Sequence, residues 1–134
     1  MNNVLIVHTS WYEKYISQMI KVSSEILSND FKCSTAKAPG AIELAALARN
    51  KLNKNDFVGV ILMGIIIRGE TSHYDLVAQE TFRSIGSLAE NYYDIAIINN
   101  VICVENENQL IERLLKNTKK NTNALISLID EKSI

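Results

Sequence analysis

The sequence predicts an α/β chain: a four-stranded parallel sheet with helices on both faces, forming a three-layer αβα sandwich. Three observations lead there. Val4-Leu5-Ile6-Val7, Phe57 to Met63 and Ile95-Ala96-Ile97-Ile98 are unbroken apolar runs, the pattern of strands covered on both faces. After each of them, apolar residues recur at helical spacing. Strand and helix signals alternate along the whole chain, which implies right-handed crossovers and puts ligand-binding loops at the carboxyl ends of the strands.

Val4 to Val7 is the first strand, and His8-Thr9-Ser10-Trp11 follows as a loop. From Tyr12 to about Leu27, one helical face carries Tyr12, Ile16, Met19, Ile20, Ser23, Ile26 and Leu27, and Asn29-Asp30 ends the helix. Phe31 to Ala36 alternates and predicts a more exposed strand. Pro39-Gly40 is a turn, after which the alanine- and leucine-rich run Ala41 to Leu52 predicts a helix. Asn53 to Asp56 is a polar link to the strand Phe57 to Met63, which ends at Gly64. The next helix opens at Ser72, with Asp75 three positions on in a capping-box-like pair, and buries Tyr74, Val77, Ala78, Thr81, Ile85 and Leu88. The strand Ile95 to Ile98 continues through Val101-Ile102. Asn106 and Gln109 cap a helix from Glu107 to about Leu115, and the polar stretch Lys116 to Asn123 predicts a break before Ala124 to Ile129. The strand-end loops are then those starting at His8, Ala36, Gly64 and Asn99.

At 134 residues the chain reads as a single domain spanning positions 1–134, long enough to bury a core. A net charge of −1, with 22% charged and 47% hydrophobic residues, gives no electrostatic case for nucleic acid. The longest apolar run, Phe57 to Ile67, is too short to span a bilayer, so no membrane partner is expected. The first residues run straight into a strand pattern without the features of a signal peptide. Cys33 and Cys103 lack metal-ligand spacing and read as buried free thiols, which together suggest a cytoplasmic protein. No metal site is expected.

The richest stretch for chemistry is Arg68-Gly69-Glu70-Thr71 followed by the helix start at Ser72. A helix N-terminus presents unpaired N–H groups and the positive end of a dipole, so an anion is welcome at Gly69-Glu70-Thr71. His73 puts a proton-accepting imidazole beside it, although a helix-start histidine can equally serve only as a hydrogen-bonding group. His8, at the end of a buried strand, reads as structural. Trp11, the single tryptophan, is either a packing residue capping the sheet or a flat surface for a heteroaromatic ring. Pro39-Gly40-Ala41-Ile42-Glu43 offers backbone groups and one carboxylate to a polyol or amide-rich ligand. Arg113 is either a solvated helix residue or a phosphate ligand reaching another loop or subunit.

Ile67-Arg68-Gly69-Glu70-Thr71-Ser72-His73-Tyr74-Asp75 resembles the signature loop of the lumazine synthases, enzymes of riboflavin biosynthesis, and the similarity extends in order over nearly the whole chain. The resemblance implies a flavodoxin-like fold and a condensation of 5-amino-6-(D-ribitylamino)uracil with 3,4-dihydroxy-2-butanone 4-phosphate, without metal or cofactor. Trp11 falls where the family stacks an aromatic residue on the pyrimidine. Gly40, Ala41, Ile42 and Glu43 match its P-G-A-x-E segment, which holds the pyrimidine and ribityl chain. Gly69, Glu70 and Thr71 match its phosphate cradle, with Ile66 and Ile67 also at the substrate, and His73 matches its proton-transfer histidine. Glu107 to Arg113 resembles T-x-E-Q-A-x-x-R, placing Arg113 as the phosphate-binding arginine, with Lys120 or Lys119 as the lysine beyond it. Asn99-Asn100 stands where many members have Phe-Gly, in a segment lining the pocket from a neighbouring subunit. The resemblance implies a pentamer as the basic unit, with sites between subunits and shells in some members; a pentamer or decamer is expected here rather than an icosahedral shell. Two other readings compete: a non-catalytic lumazine- or flavin-binding module of the same fold, and an electron carrier holding flavin mononucleotide.

Overall fold

The computed structural model describes residues 1–134. In order these are β1 (Asn2–Thr9), α1 (Glu13–Leu27), β2 (Phe31–Ala38), a 3-10 turn (Ala41–Glu43), α2 (Leu44–Leu52), β3 (Gly59–Ile67), α3 (His73–Asn91), β4 (Ala96–Val104) and α4 (Glu107–Lys132). All neighbouring strands are parallel, in the order β2-β1-β3-β4. This is the expected three-layer αβα sandwich.

Strand alternation divides the interior into two cores. Val4, Ile6, Ile61, Met63 and Ile65 face α1 and α4, meeting Ile16, Met19, Leu110, Leu114 and Leu125. Leu5, Val7, Val60, Leu62 and Ile66 point the other way, toward Leu44, Ala45, Ala48, Ile85 and Leu88 of α2 and α3. Because β1 and β3 are covered on both faces, their sequences are apolar without a break, each buried aliphatic side chain contributing roughly 1.5–3 kcal/mol. α4 lies close against β3 at Gly59, where a Cβ would come within 2.8 Å of Ile129 Cδ1. No helix is long and apolar enough to cross a membrane.

Several boundaries differ from the sequence expectation, each for a physical reason. β3 does not stop at Met63: it runs through Gly64 to Ile67 because β4 continues beside it, Gly64 opposite Val101 and Ile67 opposite Val104. Gly64 marks a close approach instead, since a Cβ there would lie 3.3 Å from Leu44 Cδ1 and 3.4 Å from Thr9 Cγ2. No loop begins at Asn99, because β4 passes straight through Asn99-Asn100. Both side chains serve the fold. Asn99 Oδ1 accepts from the Val101 N–H at 2.8 Å, while buried Asn100 donates to Thr118 Oγ1 at 3.1 Å and accepts from Asn121 Nδ2 at 2.8 Å. β1 and β2 likewise extend to Thr9 and Ala38, and Phe57-Val58 and Ile95 fall just before their strands.

α4 has no break. Thr118 and Thr122, one turn apart and fully buried, return their hydroxyls to the carbonyls of Leu114 and Thr118, each at 2.7 Å. That leaves Ser23 of α1 to donate to Thr122 Oγ1 at 2.9 Å. The polar stretch is therefore a hydrogen-bonded seam inside one helix. Tyr12, expected on the buried face of α1, is exposed; it adopts a left-handed conformation (φ 58°) and its carbonyl accepts the N–H groups of Tyr15 and Ile16. Tyr74, Val77 and Ala78 are half-buried rather than buried, so the inner face of α3 is Thr81, Ile85 and Leu88.

Candidate active site

A cleft of about 390 Å³ opens at the carboxyl ends of the sheet. Its size suits a small organic ligand. The loop after β1 supplies Trp11 and Tyr12, and the turn after β2 supplies Gly40, Ala41, Ile42 and Glu43. The end of β3 gives Ile65, Ile66 and Ile67; beyond it come Gly69 and Thr71, then His73, Tyr74 and Val77 on α3. Ten of the residues singled out in the sequence thus meet at one place, from three separate strand ends.

One end of the cleft is aromatic and carboxylic. Trp11 is 66% exposed, so it does not cap the sheet as a packing residue; its ring stands open to a ligand. Ser10 Oγ donates to the Pro39 carbonyl at 3.2 Å, tying the first loop to the second. Gly40 lets Glu43 and Trp11 share one small space: a Cβ there would lie 3.2 Å from Glu43 Oε1 and 3.9 Å from Trp11 Nε1.

The other end is built from backbone donors. None of the N–H groups from Gly69 through Ser72 donates to a group of the chain, and nothing lies within 4 Å of a Cβ placed on Gly69. These are unpaired backbone donors in the loop that leads into α3, where a phosphate-sized anion can approach closely. The expected Ser72–Asp75 capping box does not form. Ser72 makes no side-chain cap; Thr71 Oγ1 instead accepts from the His73 N–H at 3.2 Å, and Asp75 turns to Arg68.

Arg68 holds this end together. Its Nε donates to Glu105 Oε2 at 2.5 Å, its NH2 group donates to Asp75 Oδ1 at 3.3 Å, and its guanidinium lies 4.2 Å from the centre of the Tyr74 ring. Its backbone N–H donates to Val104 at 3.0 Å. Donating to Glu105 and then to Asp75 pushes the Arg68 pKa further up, so the guanidinium stays charged. Burial raises the Tyr74 hydroxyl above the ordinary tyrosine value, with Cys103 and Glu105 adding and Arg68 opposing. Burial also raises the thiol of Cys103, with the nearby Tyr74 hydroxyl opposing, and that of Cys33.

Four of the expected residues lie outside this chain's cleft. Glu70 is in the anion loop but exposed and off its wall. Arg113 and Lys120 are exposed on α4, Arg113 donating to its own helix at the Gln109 carbonyl (3.4 Å). Asn99 sits on β4. His8 is also outside, its Nδ1 3.0 Å from the Thr9 carbonyl oxygen. Four lining residues were not anticipated as site residues: Tyr12, Ile65, Tyr74 and Val77. For Tyr74 and Val77 the signal was present, because the helical face assigned to the core is continuous with the cleft. Ile65 was hidden by reading Gly64 as the end of the strand. No three His, Cys, Asp or Glu side chains of the chain come together as metal ligands do.

The comparisons with known proteins agree along the chain. The model of the family described as 6,7-dimethyl-8-ribityllumazine synthase matches residues 2–132. A protein of that name from Neisseria gonorrhoeae is 37% identical over 113 residues, covering 81% of this chain and 71% of the relative. One from Bartonella tribocorum is 35% identical over 119 residues, covering 87% and 78%. One from Sphingopyxis alaskensis is 32% identical over 120 residues, covering 89% and 84%.

Proposed function

The chain belongs to the 6,7-dimethyl-8-ribityllumazine synthase family, and on that premise we propose that it condenses 5-amino-6-(D-ribitylamino)uracil with 3,4-dihydroxy-2-butanone 4-phosphate. The products are 6,7-dimethyl-8-ribityllumazine, phosphate and water. One observation carries the reading: a single cleft joins an open aromatic ring and a carboxylate at one end to a backbone anion cradle with an imidazole at the other.

The assignments follow the two ends. The pyrimidine stacks on Trp11 and is held, with its ribityl chain, by Gly40, Ala41, Ile42 and Glu43. The phosphate of the second substrate takes the free N–H groups of Gly69 to Ser72, beside Thr71. With both substrates held, the arylamine attacks the ketone and water leaves to give an imine. Phosphate is then eliminated, and the second amine closes the ring as a second water departs. His73 moves protons along this sequence. Much of the acceleration comes from holding two substrates in reach, which replaces bimolecular entropy cost. The residues need no metal or redox cofactor for these steps.

The reading includes an assembly. Arg113, Lys120 and Asn99 lie outside their own cleft, and Leu76, Phe82 and Ile111 expose large apolar side chains on α3 and α4. Both features fit a cytoplasmic pentamer or decamer of single-domain chains, in which a neighbour supplies Arg113. An icosahedral particle in electron micrographs would overturn that stoichiometry.

The test is turnover: both substrates with purified protein, following lumazine absorbance above the uncatalysed rate. Acceleration that falls when His73 is replaced supports the synthase. A folded, assembled protein that binds lumazine without accelerating its formation would instead be a binding module, and the proposal would fail.

A further inference from the structure

We propose that Arg68 is a positioning residue that sets the anion cradle through a two-carboxylate clamp and does not itself bind phosphate. The inference rests on the synthase reading for its substrate but on geometry for the clamp. Arg68 is the first residue after β3, so its side chain leaves the sheet where the cradle begins. From there it grips both structures that flank the cradle: Asp75 on the first turn of α3, and Glu105 in the turn between β4 and α4. Its guanidinium carbon lies over the ring of Tyr74, the cleft residue next to His73.

The far end of the clamp is itself fixed. The Glu105 N–H donates to Gln109 Oε1 at 2.8 Å, and the Gln109 N–H donates to Asn106 Oδ1 at 2.9 Å, the N-cap of α4. Arg68 therefore ties the start of α3 to a buttressed helix end, leaving residues 69–72 as a short span held at both sides. This matters because those residues bind through backbone direction, and a misplacement of about 1 Å can cost on the order of 100-fold in rate.

The same contacts argue against direct phosphate binding. Arg68, Asp75 and Glu105 together carry net negative charge, so the guanidinium is already matched and presents no spare cation to a dianion. The two roles predict opposite outcomes for one substitution. If Arg68 were a phosphate ligand, Glu105→Gln would free its charge and tighten phosphate. As a clamp, it loses an anchor and the cradle loosens.

The experiment compares Arg68→Gln, Arg68→Lys, Glu105→Gln and the Arg68→Gln/Glu105→Gln pair in the full assembled chain. Inorganic phosphate affinity is measured by calorimetry, lumazine affinity by fluorescence titration, and KM for each substrate where turnover is measurable. The expected result is phosphate binding weakened on the order of ten-fold in Arg68→Gln and Glu105→Gln alike, with the pair no worse than either alone. KM for the ketose phosphate should rise in step, while lumazine affinity and KM for the pyrimidine stay within about two-fold. Arg68→Lys, reaching one carboxylate instead of two, should be intermediate.

Tighter phosphate binding in Glu105→Gln would overturn the clamp in favour of a direct ligand. Full recovery by Arg68→Lys would show that charge alone matters, and equal losses at both ends of the cleft would show a general structural role; either overturns it. The assays separate this proposal from the synthase reading. Phosphate binding that responds as described in a protein without turnover would remove the enzyme and keep the clamp, whereas no phosphate binding by the unsubstituted chain would remove the clamp.

Discussion

Replacing Gly40 with alanine tests the pyrimidine end of the cleft almost in isolation. The backbone there is extended (φ −153°), which any residue adopts, so alanine brings no conformational strain. The added methyl would sit 3.2 Å from Glu43 Oε1, with the Trp11 ring at 3.9–4.0 Å. Carbon contacts are comfortable from about 3.5 Å, so the carboxylate must withdraw by roughly 0.3 Å while the indole stays in ordinary contact. Glu43 is exposed, so this movement leaves folding stability within about 0.5 kcal/mol. On the proposed reading it would disturb a charged hydrogen bond from the pyrimidine to Glu43, of a kind worth roughly 1.5–3 kcal/mol; losing about half of that should weaken pyrimidine binding roughly 4- to 12-fold. Initial rates with one substrate saturating and the other varied should show that rise in KM for the pyrimidine and less than two-fold change for the ketose phosphate. An unchanged pyrimidine KM, or an equal rise in both, would refute the division of the cleft into two ends. A loss of more than about 1 kcal/mol in urea unfolding would refute the claim that the fold tolerates the methyl.

Two further outcomes follow from the same geometry. His73→Ala should lower kcat on the order of 100-fold without abolishing turnover, because proton transfer is lost while the positioning of both substrates survives; steady-state kinetics at saturating substrate measures it. Asn100→Ala removes a donor to Thr118 and an acceptor for Asn121 at a site that is 1% exposed, so it should destabilise the chain by about 2–3 kcal/mol in urea titration, with the m-value unchanged.

Layer order was legible because it rests on local pattern, whereas ten of the fourteen residues lining the cleft were legible through the resemblance to the lumazine synthases. A strand covered on both faces must be apolar throughout, and Val4 to Val7 or Val60 to Met63 can be little else. The residues lining the cleft lie at strand ends, where topology brings Trp11, Gly40 and Thr71 to one edge of the sheet. What misled were residues whose role depends on partners outside their own helix or strand. Gly64 reads as a stop until Leu44 and Thr9 are seen crowding it. Thr118 and Thr122 read as a break until the seam with Asn100 and Ser23 accounts for their hydroxyls. Asp75 reads as a helix cap until Arg68, seven residues earlier, claims it. In each case the commonest local use of a polar or small residue gave way to a contact outside its own helix or strand.

The charge of the cleft gives an independent reason to expect a second chain at the site. None of the residues lining it is a lysine or arginine, Glu43 adds a negative charge, and Arg68 nearby is held by two carboxylates. A phosphate dianion would meet only neutral N–H dipoles there, a weak match for two charges without a cation. Arg113, exposed on α4 and making only a 3.4 Å bond to its own helix, is available to supply one to another copy. This can be tested by mixing chains. His73→Ala and Arg113→Ala subunits each lack one component; assembled together at equal ratio, about a quarter of interfaces should pair an intact His73 with an intact Arg113, if each site draws on two neighbours. Activity should then recover to about a quarter of that of the unsubstituted protein, above the sum of the separate variants. If Arg113 instead completes the cleft of its own chain, mixing restores nothing, because no subunit carries both residues.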